Sequence, residues 1–224
     1  MSGKTRPDTG CILVNEPRIE KIGKAQVASA ELVMADGYVA TASFETPWFL
    51  QLGNYYDVEV RSKEGGDGAF LVSKTPPQGT SSSASWFSDN IFGISGRYGA
   101  YGAPQDVRVL RDERDRSVDG GRLLEYSFTA LKGNAEVQRR AFVKAVSPPG
   151  SKDVVILVAG TTASRWKKEN GEKTSRAVVD SLRVSSTKTN LKKDEASDYR
   201  TYKSKMPDLA PQKNGGGAMY NNGD

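Results

Sequence analysis

The residues of this chain best suited to act on another molecule are Arg165-Trp166-Lys167-Lys168, which set a large aromatic among cations. Tryptophan and arginine are enriched among the residues that carry binding energy at protein interfaces, so this cluster, with Arg176 beyond it, is a candidate docking face with Trp166 as its apolar anchor. The same residues also suit a tryptophan packed under a sheet edge with solvated cations around it, and the residue types leave both readings open. From Arg165 to Lys193, nine Lys or Arg stand against Glu169, Glu172 and Asp180, a local balance of +6. That excess favours an acidic surface as partner.

Catalytic groups are scarce. The chain has no histidine, which removes the commonest general base and the commonest metal ligand together. Its one cysteine, Cys11, sits among Ile12, Leu13 and Val14 and reads as a small buried hydrophobe. A lone cysteine forms neither an internal disulfide framework nor a cysteine-rich zinc site. Asp112-Glu113-Arg114-Asp115-Arg116 offers three carboxylates to a calcium ion, but the signs alternate and a solvated loop between strands is the better reading. Gly96-Arg97-Tyr98-Gly99 lies inside and after a helical pattern, whereas a phosphate cradle follows a strand and opens a helix. We therefore expect no enzyme, no cofactor and no resident metal. A small-ligand binder or an enzyme working with carboxylates and hydroxyls is the alternative of a different class.

With 224 residues and 37% hydrophobic content, the chain can bury one core of roughly 150 residues and still leave tails. Lys plus Arg exceed Asp plus Glu by 32 to 27, without the dense basic stripe of a nucleic-acid binder. No run of about 18 apolar residues is present, so the expectation is a protein that does not span a membrane. Met1-Ser2-Gly3-Lys4-Thr5-Arg6-Pro7 leads into no apolar segment of signal-peptide type. Nothing in the pattern points to a homo-oligomer.

The elements that must position the basic cluster follow from apolar periodicity. Val154 to Ala159 is apolar at both parities, the mark of a strand buried on both faces, and Gly160 stops it. A turn then carries Arg165 to Lys168, and a helix over Lys173 to Val184 lays Val178, Val179 and Leu182 on a sheet. Upstream, strands are expected at Tyr38 to Phe44, Tyr55 to Ser62 with one wet face, Ala69 to Lys74, Asp106 to Arg111, Arg122 to Leu131 and Ala135 to Val146. Phe87, Ile91, Ile94 and Tyr98 predict a helix, capped by Ser85 or Ser88. A weakly amphipathic helix is expected over Lys24 to Met34. Meander order implies one mainly antiparallel sheet covered by helices, with Ile156, Val158, Phe128 and Leu182 in its core. Residues 1–36 read as an arm, 37–185 as the domain, and 186–224 as a tail too polar to offset its own ordering entropy.

The strand, basic-aromatic turn and closing helix of Lys152 to Val184 resemble the C-terminal end of the PsbP family, the lumenal extrinsic proteins of photosystem II and their PsbP-like relatives. The hairpin from Leu123 to Val146, with Tyr126-Ser127-Phe128, and the segment Phe44-Glu45-Thr46-Pro47-Trp48 carry the resemblance further, over about Gly37 to Val184. It implies an α+β fold, an α-β-α sandwich around a central, mainly antiparallel sheet of six to seven strands. It also implies residence in the chloroplast thylakoid lumen and a non-catalytic role, as accessory subunit or assembly factor, on the lumenal face of a photosynthetic complex. Photosystem II is the first candidate, with photosystem I and the NADH-dehydrogenase-like complex as alternatives. The chain resembles a divergent PsbP-like protein more than the orthodox subunit, because the histidines proposed to bind metal in some members have no counterpart and the N-terminal arm does not match closely.

Overall fold

A computed structural model of the chain describes residues 11–23, 25–51, 58–93, 103–115, 121–132 and 135–191. In chain order the elements are β1 (Arg18–Ile22), β2 (Ala25–Val33), β3 (Tyr38–Glu45), β4 (Phe49–Leu50), β5 (Val58–Arg61), β6 (Gly68–Lys74), a 3-10 turn (Gly79–Ser81), α1 (Ala84–Phe92), β7 (Gln105–Asp115), β8 (Gly121–Lys132), β9 (Ala135–Val146), β10 (Val154–Thr162), α2 (Ala163–Lys168), α3 (Gly171–Asp180) and β11 (Arg183–Lys188). They form an α+β sandwich with two antiparallel sheets. The larger runs β4-β5-β6-β10-β9-β8-β7 and the smaller β1-β2-β3-β11. The single central sheet expected from the sequence is thus a seven-stranded sheet accompanied by a separate four-stranded one.

β10 lies in the middle of the large sheet, between β6 and β9, and is buried from Val154 through Thr161. Because side chains alternate across a strand, Val154, Ile156 and Val158 enter one core and Val155, Leu157 and Ala159 the other. The first core is closed by α1, which contributes Phe87, Ile91 and Phe92 against Tyr126, Phe128 and Val143. The second is closed by Trp166, Val178 and Val179 of α2 and α3 together with Ala28, Leu32, Ala40, Ala42 and Phe44 of the small sheet. Ile156, Val158, Phe128 and Leu182 are all buried, as the strand registers required.

Several elements differ from the sequence reading. The weak helix over Lys24 to Met34 is a correction: Ala25–Val33 is strand β2, with Ala28, Ala30 and Leu32 turned into the core. Its alanines have high helix propensity, but pairing with β1 and β3 and burial of alternate residues override that preference. The helix expected over Lys173 to Val184 is shorter, Gly171–Asp180, and Val184 belongs to β11. That strand extends to Lys188 and pairs with β3, so residues 186–188 are part of a sheet rather than of a tail. The first helix ends at Phe92, and Ser83, not Ser85 or Ser88, caps it by accepting from the Trp86 N–H at 3.1 Å. Ile94 and Tyr98 lie outside the described residues, as do Gly96 to Gly99. Of the wet face expected on this strand, β5, Arg61 is exposed and Asp57 lies outside the described residues, but Glu59 is buried beside Val58 and Val60 and accepts from Arg61 at 2.7 Å. Asp112 to Asp115 continue strand β7 instead of forming a loop.

The two sheets are tied at one corner. The buried Asp153 carboxylate accepts from the Ala35 N–H at 2.7 Å and from the Thr75 hydroxyl at 2.5 Å. Asp36 accepts from the Lys152 N–H at 2.7 Å and the Ser151 hydroxyl at 2.9 Å. Gly150, at φ +77, lies so near Tyr38 that a Cβ there would fall 2.8 Å from its hydroxyl oxygen. A side chain at that position would push the corner apart.

Candidate functional site

The basic cluster lies on α2, a six-residue helix and not a turn, which leaves β10 at Thr162 and sits on the large sheet. A helix this short is marginal alone, so its position depends on what its side chains grip. Arg165 makes that grip: its guanidinium donates to Asp67 at 2.9 Å and to the Gly65 carbonyl at 3.0 Å, both in the β5–β6 hairpin. It also pairs with Glu169, one turn on, at 2.9 Å. Asp67 beside it holds the Arg165 pKa above its ordinary value, against partial desolvation and with help from Glu169. Thr161 donates to the same Asp67.

Trp166 turns inward, with 1% of its surface exposed. Its ring packs on Phe142 at 5.0 Å between centroids, and the Arg140 guanidinium covers it at 5.3 Å. The Arg176 guanidinium lies 5.6 Å from the centroid of Phe142. Two cations and two aromatics thus form one cluster, in which the ring quadrupoles attract the guanidiniums. Arg140 is further held by the buried Glu125, whose other oxygen lies 3.7 Å from Arg111. Of the two sequence readings of Trp166, burial under the sheet is the one the structure displays.

α3 starts at Asn170, which has a left-handed backbone (φ 56) and makes no side-chain cap bond. Gly171 follows because nothing larger fits: a Cβ would stand 2.6 Å from Thr161 Cγ2 and 2.9 Å from the Arg165 carbonyl oxygen. This close approach folds α3 back against α2 and leaves a cleft of about 430 Å³. Phe142 and Trp166 form its apolar wall, Arg111, Lys167, Lys173 and Arg176 bring charge to it, and Asn170 and Glu172 complete the lining. Four cations face one carboxylate. Arg176 is paired with Asp180 at 2.7 Å, whereas Lys167 and Lys173 are exposed and have no ion pair among the described residues.

No family model matches the chain, and no curated protein matches it.

The five docking residues named from the sequence therefore divide by role. Arg165 and Trp166 hold α2 in place, Lys167 and Lys168 project from it, and Arg176 sits between the cleft and Asp180. Lys192 and Lys193, counted in the local charge, lie outside the described residues. Sequence reasoning missed Arg111, Phe142 and Asn170. Arg111 reaches the cleft from β7, where register shifts between Gln105 and Arg108 and between Val109 and Arg111 displace the alternation that a regular strand would give. For the carboxylate run, Asp112 is engaged by Arg122 at 2.6 Å, and the hydrogen bond from Arg122 lowers its pKa. No cluster of three metal-ligating residues occurs among the described residues.

Proposed function

We propose that the chain is a non-catalytic extrinsic protein that docks on the lumenal face of a photosynthetic membrane complex, photosystem II first, through the exposed cations of α2 and α3. The observation that carries the docking part is a rigid mount bearing lysines that have no ion pair among the described residues. Lys167 and Lys168 stand on a helix fixed from below by Trp166 and from the side by Arg165. An exposed ion pair contributes under about 1 kcal/mol, so several lysines must act together, and a fixed mount reduces the entropy lost when they do. The photosynthetic setting is what the resemblance to the PsbP family implies for this face. No helix among the described residues is long and apolar enough to cross a membrane, which is compatible with a peripheral position.

The test is a salt series on washed thylakoid membranes with the full chain and a Lys167→Glu, Lys168→Glu double variant. We expect release of the parent by moderate salt, loss of binding in the variant, and the same thermal midpoint for both, because neither lysine is buried. Binding indifferent to salt and to both reversals overturns the proposal. Immunoblots of the separated complexes decide among photosystem II, photosystem I and the NADH-dehydrogenase-like complex.

A further inference from the structure

We propose that the cleft between α2, the first turn of α3 and β7 binds a small organic oxyanion of the polycarboxylate or phosphate class. Its volume of about 430 Å³ falls in the range of small-molecule sites, which run from about 300 to 1,000 Å³. Arg111, Lys167, Lys173 and Arg176 converge on it from three elements; Glu172 is the one carboxylate in its lining, while Arg111 is shared with Glu113 and Glu125 and Arg176 with Asp180. Lys167 and Lys173 have no ion pair among the described residues, so their charge is available to a ligand.

The second observation is an unpaired donor. The indole N–H of Trp166, a residue lining the cleft, is buried and has no hydrogen-bond partner among the described residues. Buried donors are nearly always satisfied, and leaving one unmade is costly. That nitrogen is closed to solvent, so it senses the cleft through the ring that forms its wall, and its resonance reports on what the wall touches. The start of α3 adds to the same potential, because its first backbone N–H groups receive no side-chain cap and carry the positive end of the helix dipole. The aromatic wall of Phe142 and Trp166 admits the carbon skeleton of an organic anion as well as its charged groups. The cleft shares Lys167 with the docking face but not Lys168, which lies outside its lining, so a Lys168 variant tells the two apart.

The experiment uses the full-length chain labelled with nitrogen-15, titrated at constant ionic strength with citrate and, separately, with inorganic phosphate. The indole N–H resonance of Trp166, assigned by its loss in Trp166→Phe, is the reporter. We expect a saturable shift with at least one anion, and the one that saturates at lower concentration identifies the carboxylate or the phosphate class. Lys173→Glu should weaken that binding about tenfold or more, the size of one charge-assisted contact, and Lys173→Gln should do so by less. Lys168→Glu should leave it unchanged. A shift that stays linear to about 10 mM with both anions, a concentration well above millimolar dissociation constants, overturns the proposal. So does a saturable shift that neither Lys173 variant weakens.

Discussion

On one face of the seven-stranded sheet, α1 lays Phe87, Ile91 and Phe92 over Tyr126 and Phe128, with Phe92 4.8 Å and 4.7 Å from the two rings. On the other, α2 and α3 lay Trp166, Val178 and Val179 against Phe142 and Leu157, but Arg140 and Arg176 also lie over those rings. The first face is closed mainly by carbon, its Arg122 guanidinium, 5.2 Å from the Phe87 centroid, being pinned by Asp112, and its phenol is answered locally: the Tyr126 hydroxyl donates to the Ala84 carbonyl at 3.3 Å. The second face interleaves charge with aromatic surface and leaves a cleft. Two helical covers on one sheet thus serve different ends, one sealing the core and one presenting charge from a fixed base.

That contrast breaks most visibly at Trp166. If it is the base on which the charged face rests, Trp166→Ala should cost about 3–5 kcal/mol, the usual penalty for truncating a buried large aromatic, and should remove docking and anion binding together. Urea unfolding measures the first. Retention of full stability would mean that α2 is held by Arg165 alone.

On the sealed face the sharper measurement is against pH. Burial pushes the Tyr126 phenol up to about 12, whereas an unfolded phenol titrates near 10. Since the folded value is the higher, the stability this group contributes is fully present below pH 10 and is lost as pH rises from about 10 to about 12. Tyr126→Phe should lack that part of the fall, a difference between parent and variant of at most about 3 kcal/mol. Parallel stability curves across this window would contradict a sealed phenol. The smallest effect belongs to the start of α1, where Ser83→Ala removes the cap bond to Trp86 and should cost about 1 kcal/mol. α3 has no such side-chain bond to lose, so the same substitution logic applied at its start should find no cap energy.

What the sequence disclosed follows the same division. Val154 to Ala159 is legible because burial on both faces leaves a local signature, and Val58 and Val60 because they alternate with charged residues. The four buried residues chosen from periodicity lie in the core for that reason. β2 was illegible because Val27 and Val33 on the opposite parity blur the alternation of Ala28, Ala30 and Leu32, and alanine invites a helix. β11 escaped notice because only Val184 among Arg183–Lys188 is a large apolar residue; its place is decided by β3, about 140 residues upstream. The candidate site was half legible. A run of cations around a tryptophan announces a basic patch, but which cations are pinned depends on Asp67 and Asp180, and the cleft depends on Arg111, which a register shift in β7 brings into place.

The pairing of β11 with β3 also sets a schedule. The small sheet cannot be complete until Lys188 has been synthesised, 143 residues after Glu45, the last residue of β3. At ordinary synthesis rates that interval is roughly 7 to 30 s. Through it, the backbone donors and acceptors along one side of β3 have no strand to meet, and an open edge of this kind is a template for the wrong partner. The large sheet waits as well, since β6 meets β10 only when Val154 to Gly160 emerge. A nascent chain of this protein therefore carries two unfinished sheets until Thr162 and one until Lys188, and a message truncated before the codon for Arg183 would encode a molecule whose small sheet lacks its last strand.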